Sequence, residues 1–160
     1  MMAGAVVNPT TFINGIEAFE ERFEKMFREK VRKLLHEGMR RLIAKTPVNT
    51  GQAVMNYVAT GRAPYGGGVK EAGPAVEATN KLALGAERLR PGAAAVAMGT
   101  LAAVDFSDPY NVYFITNKSP HIQGLEYGLL PAAPYTPRSP AGMFGVTVQE
   151  LMMLLGSGRI

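Results

Sequence analysis

Residues Asn14–Gly51 read NGIEAFEERFEKMFREKVRKLLHEGMRRLIAKTPVNTG, and the reading of this stretch decides the fold. Its apolar residues fall at Ile16, Phe19, Phe23, Met26, Phe27, Val31, Leu34, Leu35, Met39, Leu42 and Ile43. Gaps of three and four place them on one stripe of a helix with 3.6 residues per turn. Glu17, Glu20 and Glu21 stand near the start, and Arg40, Arg41 and Lys45 near the end, as the helix dipole favours. Glu21–Lys25, Glu24–Arg28, Glu29–Lys33 and Glu37–Arg41 are acid-before-base pairs at a spacing of four. Asn14 is the expected cap, with Glu17 at the capping-box position. Pro47 ends the helix, because the residue before a proline is pushed out of the helical region. Such a helix spans roughly 46 Å. That exceeds the needs of a compact core of this size, so packing on the domain over part of the length and on a partner elsewhere is expected.

The chain has 160 residues, enough for one domain with a substantial core at 47% apolar residues. With no cysteine, disulfides, iron–sulfur clusters and thiol catalysis are excluded. The net charge of +4 is mild, but residues 15–24 hold four acids and one base, whereas 25–45 hold eight bases and two acids. The basic part is read as a solvated helix face or as a surface for an acidic partner or a nucleic acid backbone. Met1–Val7 lacks the features of a signal peptide and no apolar run is long enough to span a membrane, so a soluble protein made in the cytoplasm is expected.

Residues 1–13 read as a flexible arm preceding a single domain over 14–160. Gln52–Thr60 reads as a strand, and Gly61–Gly73, with five glycines and Pro64, as a mobile loop. Pro74 opens a second helix that Pro91-Gly92 stops. Ala93–Ala103 is ambiguous between strand and packed helix. Tyr110–Thr116 reads as a central strand from its β-branched and aromatic run, and Asn117–Pro120 as a turn. Leu129–Pro140 carries four prolines and reads as an extended loop. Ser139 then caps and Pro140 begins a terminal helix reaching about Leu155, with almost no polar face and a corresponding need for burial, in the core or against a neighbouring subunit. The fold class is α+β: a long N-terminal helix plus two further helices packed on a small, mainly antiparallel sheet.

Motifs for chemistry are scarce. His36 lies on the polar side of the long helix, and His121 lies in a turn without partners spaced for a metal site. Gly66-Gly67-Gly68-Val69-Lys70 lacks the serine or threonine of a phosphate loop. Asp105 and Asp108 flank Ser107 as turn formers. Glu126 is the most informative acid. In a segment otherwise suited to burial, it is expected to cap backbone amides or pair with a base; a hydrolase using Glu126 and His121 is the least favoured reading. No cofactor, no metal and no enzymatic activity are expected. Arg28, Arg32, Arg40 and Arg41 are the candidates for a DNA-facing or protein-facing basic surface, and a small basic nucleic-acid-binding module acting through 25–45 is the alternative reading.

Three clusters, in order, carry a resemblance. They are Thr46-Pro47-Val48-Asn49-Thr50-Gly51 after the long helix, Thr116-Asn117 through Pro120 to Leu125-Glu126-Tyr127-Gly128, and Ser139-Pro140-Ala141-Gly142-Met143 before the apolar end. The set resembles the tail-completion (minor tail, or neck) proteins of long-tailed bacteriophages over about residues 12–155. Differences from that pattern fall at Asn49, Tyr57 and Pro120-His121-Ile122. The resemblance implies a structural virion protein made in the host cytoplasm, forming a ring, expected to be hexameric, at the neck. Its implied partners are tail-terminator, tail-tube or head-completion proteins and genome DNA in the channel, with no membrane. It assigns structural roles to Thr46, Pro47, Thr50, Gly51, Asn117, Pro120, Glu126, Tyr127, Gly128, Pro140, Gly142 and Met143. Gly51 and Gly128 are expected to allow tight bends, and Tyr127 to bury its ring, so that Tyr127→Ala would destabilise the fold by a few kcal/mol.

Overall fold

Helix α1 runs from Pro9 to Lys45, 37 residues, in the computed structural model, which describes residues 8–48, 50–71, 91–129 and 142–160. It spans roughly 55 Å. The helix begins earlier than Asn14. Asn8 is the cap, its side-chain oxygen accepting from the Thr10 amide at 3.0 Å, and Pro9 takes the first helical position, where a missing N–H costs nothing. Asn14 and Glu17 are therefore interior residues, and Pro9–Ile13 belong to the helix rather than to an arm. Residues 1–7 lie outside the described residues. At the other end Thr46 has extended backbone (φ −80°, ψ 121°), as Pro47 demands.

The stretch expected to be a strand divides in two. Gly51, at φ 83°, starts a single turn of helix, α2 (Gln52–Met55), and the Thr50 hydroxyl accepts from the Gln52 amide at 3.3 Å. Strand β1 (Tyr57–Gly61) follows and pairs antiparallel with β2 (Tyr113–Asn117), Tyr57 opposite Asn117 and Gly61 opposite Tyr113. Among the described residues these two strands are the whole sheet, so β2 is half of a pair and not a central strand; Tyr110 and Val112 precede it and are exposed. The ambiguous alanine-rich segment is helix α3 (Pro91–Gly99), followed by a 3-10 turn at Thr100–Ala103. Ala93, Ala94 and Ala97 are its buried face. The Thr100 hydroxyl accepts from the Ala59 amide at 3.0 Å, satisfying a β1 donor. Helix α4 (Ile122–Glu126) is too short to show a period in the sequence, and α5 (Met143–Gly156) is the terminal helix. The terminal helix starts later than expected, at Met143 with Gly142 as its cap, so neither Ser139 nor Pro140 opens it. The helix expected from Pro74 and most of the proline-rich loop lie outside the described residues.

The fold is α+β. Its core joins the second half of α1 (Leu35, Met39, Leu42, Ile43) to Val54 and Tyr57. Gly38 belongs to this packing. A Cβ there would lie 3.2 Å from both Ile115 Cδ1 and Leu151 Cδ1, so glycine lets α1 approach β2 and α5 together. Its propensity cost of about 1 kcal/mol is thereby offset by closer packing.

Candidate functional site

The described residues of the three sequence clusters meet at the end of the domain where α1 stops. The Thr46 hydroxyl donates to the Leu42 carbonyl at 2.7 Å, which leaves its lone pairs to accept from the Tyr57 hydroxyl at 2.9 Å. Tyr57 is fully buried, and burial pushes its hydroxyl up to about 12. Its ring packs on Phe144, with centroids 5.9 Å apart, and Met143 is buried beside Thr46, its sulfur 4.0 Å from the hydroxyl. Asn117 donates from its amide to the Ala53 carbonyl at 2.7 Å and accepts from the Ser119 amide at 2.9 Å. It thereby ties the second cluster to α2. Pro120 begins the turn into α4, where the Ile122 amide donates to the Ser119 carbonyl at 3.1 Å.

Glu126 links the second cluster to the third. Gly142 occupies the cap position of α5 but has no side chain to offer. The Glu126 carboxylate supplies the missing acceptor, taking the Phe144 amide at 2.9 Å, while its carbonyl takes the Gly142 amide. A carboxylate at a helix N-terminus is favoured by the amides and by the dipole. Of the two roles expected of Glu126, capping amides or pairing with a base, the structure shows the capping, given to a helix distant in sequence. His121 precedes α4 and is exposed, on another side of that helix. Gly51, Gly128 and Gly142 all have positive φ (83°, 69° and 79°), which explains glycine in each motif. Gly128 closes α4 with a Schellman pair, Leu129 amide to Gly124 carbonyl at 2.8 Å and Gly128 amide to Leu125 carbonyl at 3.3 Å. Tyr127 corrects its expectation: it is 72% exposed, because Leu125 takes the inward position on this single turn of helix. Pro47 is half-buried; Pro140 lies outside the described residues.

The basic residues are largely engaged. Arg40 and Arg41 both bind Glu37, at 2.8 and 2.7 Å, and Arg41 and Lys45 both reach Glu150 of α5, at 2.7 and 2.6 Å. Hydrogen bonding from Arg40, helped by Arg41, holds the Glu37 carboxyl down at about 2. Hydrogen bonds from Lys45 and Arg41 likewise lower Glu150. Arg28 pairs with Glu24 at 3.5 Å. Arg32 is exposed and borders two shallow grooves, one with Phe106 and one with Leu154 and Arg159. Sequence reasoning misses Glu150; the signal is a lone acid in an apolar helix, which needs a base, here Arg41 and Lys45.

Two exposed apolar faces complete the picture. The first half of α1 presents Phe12, Ile16, Phe19, Phe23 and Met26, and α5 presents Val148, Met152, Met153 and Leu155. Among the described residues no group of three or more His, Asp or Glu is placed to hold a metal, and no helix is long and apolar enough to cross a membrane. No known protein family, curated protein or solved structure matches the chain.

Proposed function

We propose that this chain is a structural virion protein of the bacteriophage neck, completing the tail and joining it to the DNA-filled head as one subunit of a ring. The observation that carries this reading is the long bare half of α1. It is a rigid arm with an aromatic stripe held in water, beyond a domain that needs only the other half of the helix for its core. Support also comes from the meeting of the described residues of the three sequence clusters at one junction, where Tyr57, Thr46 and Glu126 are occupied by internal hydrogen bonds. The work is assembly rather than catalysis. The partners are further copies in a ring, expected to number six, and the tail-terminator, tail-tube or head-completion proteins on either side, with genome DNA passing through. Engagement of Arg40 and Arg41 by Glu37 and Glu150 favours this over the nucleic-acid-binding alternative, since paired charges release fewer counterions from DNA.

Deletion of the gene tests the reading. Electron microscopy is expected to show filled heads and separate tails, or tails with defective ends. Normal virions would end it.

A further inference from the structure

The bare face of α1 has a heptad spacing. Phe12, Ile16, Phe19, Phe23 and Met26 follow one another at gaps of four, three, four and three, a coiled-coil seam. Continued at the same spacing, the seam would meet Lys30, Lys33 and Glu37, so it stops at Met26. These residues are 41–64% exposed. On α5, Val148, Met152 and Leu155 share one side and Met153 adjoins them, at 44–73% exposure. At up to about 200 Å² per large side chain, the two faces together leave roughly 900 Å² of apolar surface in water. A standard interface of about 1,600 Å² that is a little over half apolar buries about that much.

The two faces cannot meet within one chain. α5 lies along the second half of α1, Glu150 beside Lys45 and Leu151 beside Gly38, with Leu154 bordering the groove at Arg32. A straight helix carries Phe19 roughly 20 Å beyond that point. Charge then selects between ways of pairing two chains. The stretch that carries the seam holds Glu17, Glu20, Glu21 and Glu24 against Arg22 and Lys25, a net negative charge. Seam against seam, parallel or antiparallel, brings two surfaces of net negative charge together. The α5 face is different: its one acid, Glu150, is held by Arg41 and Lys45, and the groove beside it is bordered by Arg159, Arg32 and Lys33 and by Glu37, itself held by Arg40 and Arg41. We infer that the seam of one copy seats on the α5 face of the next, head to tail. This contact deepens the ring reading and rests on it for closure, because a repeated head-to-tail contact yields either a ring or a filament.

Mass photometry and sedimentation of the purified full-length chain test it. Wild type is expected to form closed multimers that loosen as salt is raised. Phe19→Ser with Phe23→Ser, and separately Met152→Ser with Met153→Ser, should each raise the dissociation constant at least tenfold while keeping the wild-type circular dichroism. Mixed one to one, the two variants retain one intact contact and should give a heterodimer and nothing larger. Monomeric wild type at every concentration, or unimpaired assembly of either variant, overturns the inference; in particular, assembly by the α5 variant alone means seam-on-seam pairing. Images of the virion neck judge the ring reading separately, so either can fail alone.

Discussion

Phe12–Met26 and Leu34–Ile43 of α1 both present an apolar residue every three or four positions, yet Phe19 is 64% exposed and Met39 is 0% exposed. Helix propensity and periodicity are alike in the two halves. What differs is what lies opposite. The second half meets β1, β2, α3 and α5, and the first half leaves that ground near Phe27, whose ring lies tilted against Tyr110 with centroids 6.2 Å apart. An amphipathic stripe states that a face will be buried, but not by which molecule. The bare half also carries most of the helix's acids, so its partner must tolerate or welcome negative charge, whereas the clad half has its ionic needs met by Glu37 and Glu150.

The largest expected effect falls in the clad half. Met39→Ala should lower stability by about 3 kcal/mol through lost burial and an unfilled cavity, measured by denaturant unfolding in dilute solution. A loss below about 1 kcal/mol would mean that the core can collapse around the site, and that the contrast with the bare half is weaker than exposure suggests. Next comes the junction at the end of α1. Thr46→Val strips the Tyr57 hydroxyl of its acceptor in a buried site and should cost about 2 kcal/mol. Adding Tyr57→Phe should recover part of that loss, since both polar groups are then gone; no recovery would argue against the hydrogen bond.

Glu37→Gln should cost about 1 kcal/mol at neutral pH, the scale of a well-formed but partly exposed ion-pair cluster. Its pH dependence sharpens the test. The folded carboxyl sits near 2 against an ordinary 4.5, so its stabilisation is complete above 4.5 and is lost as pH falls through 2. The gap between wild type and variant should therefore narrow from about pH 4.5 downward; a gap unchanged down to pH 2 would detach Glu37 from its arginines. The smallest effects belong to the exposed residues. Phe19→Ser and Tyr127→Ala should each move the monomer's stability by no more than about 0.5 kcal/mol. A larger loss for Phe19→Ser would show that the bare half is covered within the chain itself.

Much of this was legible in the residues. Glycine at the Gly51 and Gly128 bends, Glu126 among apolar neighbours and Pro47 after Thr46 each have a local chemical cause, and the positive φ values, the trans cap and the helix stop match those causes. Local causes also misled. Asn14 with Glu17 has the form of a capping box, but Asn8-Pro9 carries the equally good signal of a cap followed by proline, and Phe12 and Ile13 extend the stripe to it. α2 and α4, at four and five residues, are too short to repeat a period. Tyr127 sits in an apolar setting, and only the direction of α4 turns it outward.

Sequence alone determined the long helix, its stop, the bends and the α+β class, because each follows from backbone sterics, periodicity or a missing Cβ within a few residues. Tertiary structure alone decided which half of the helix is clad, that Tyr57 and Thr46 share a hydroxyl bond, that Glu126 caps a helix begun at Met143, and that Glu150 gathers Arg41 and Lys45. Those outcomes depend on which surfaces arrive opposite one another, and burial is a property of the pair and not of either surface.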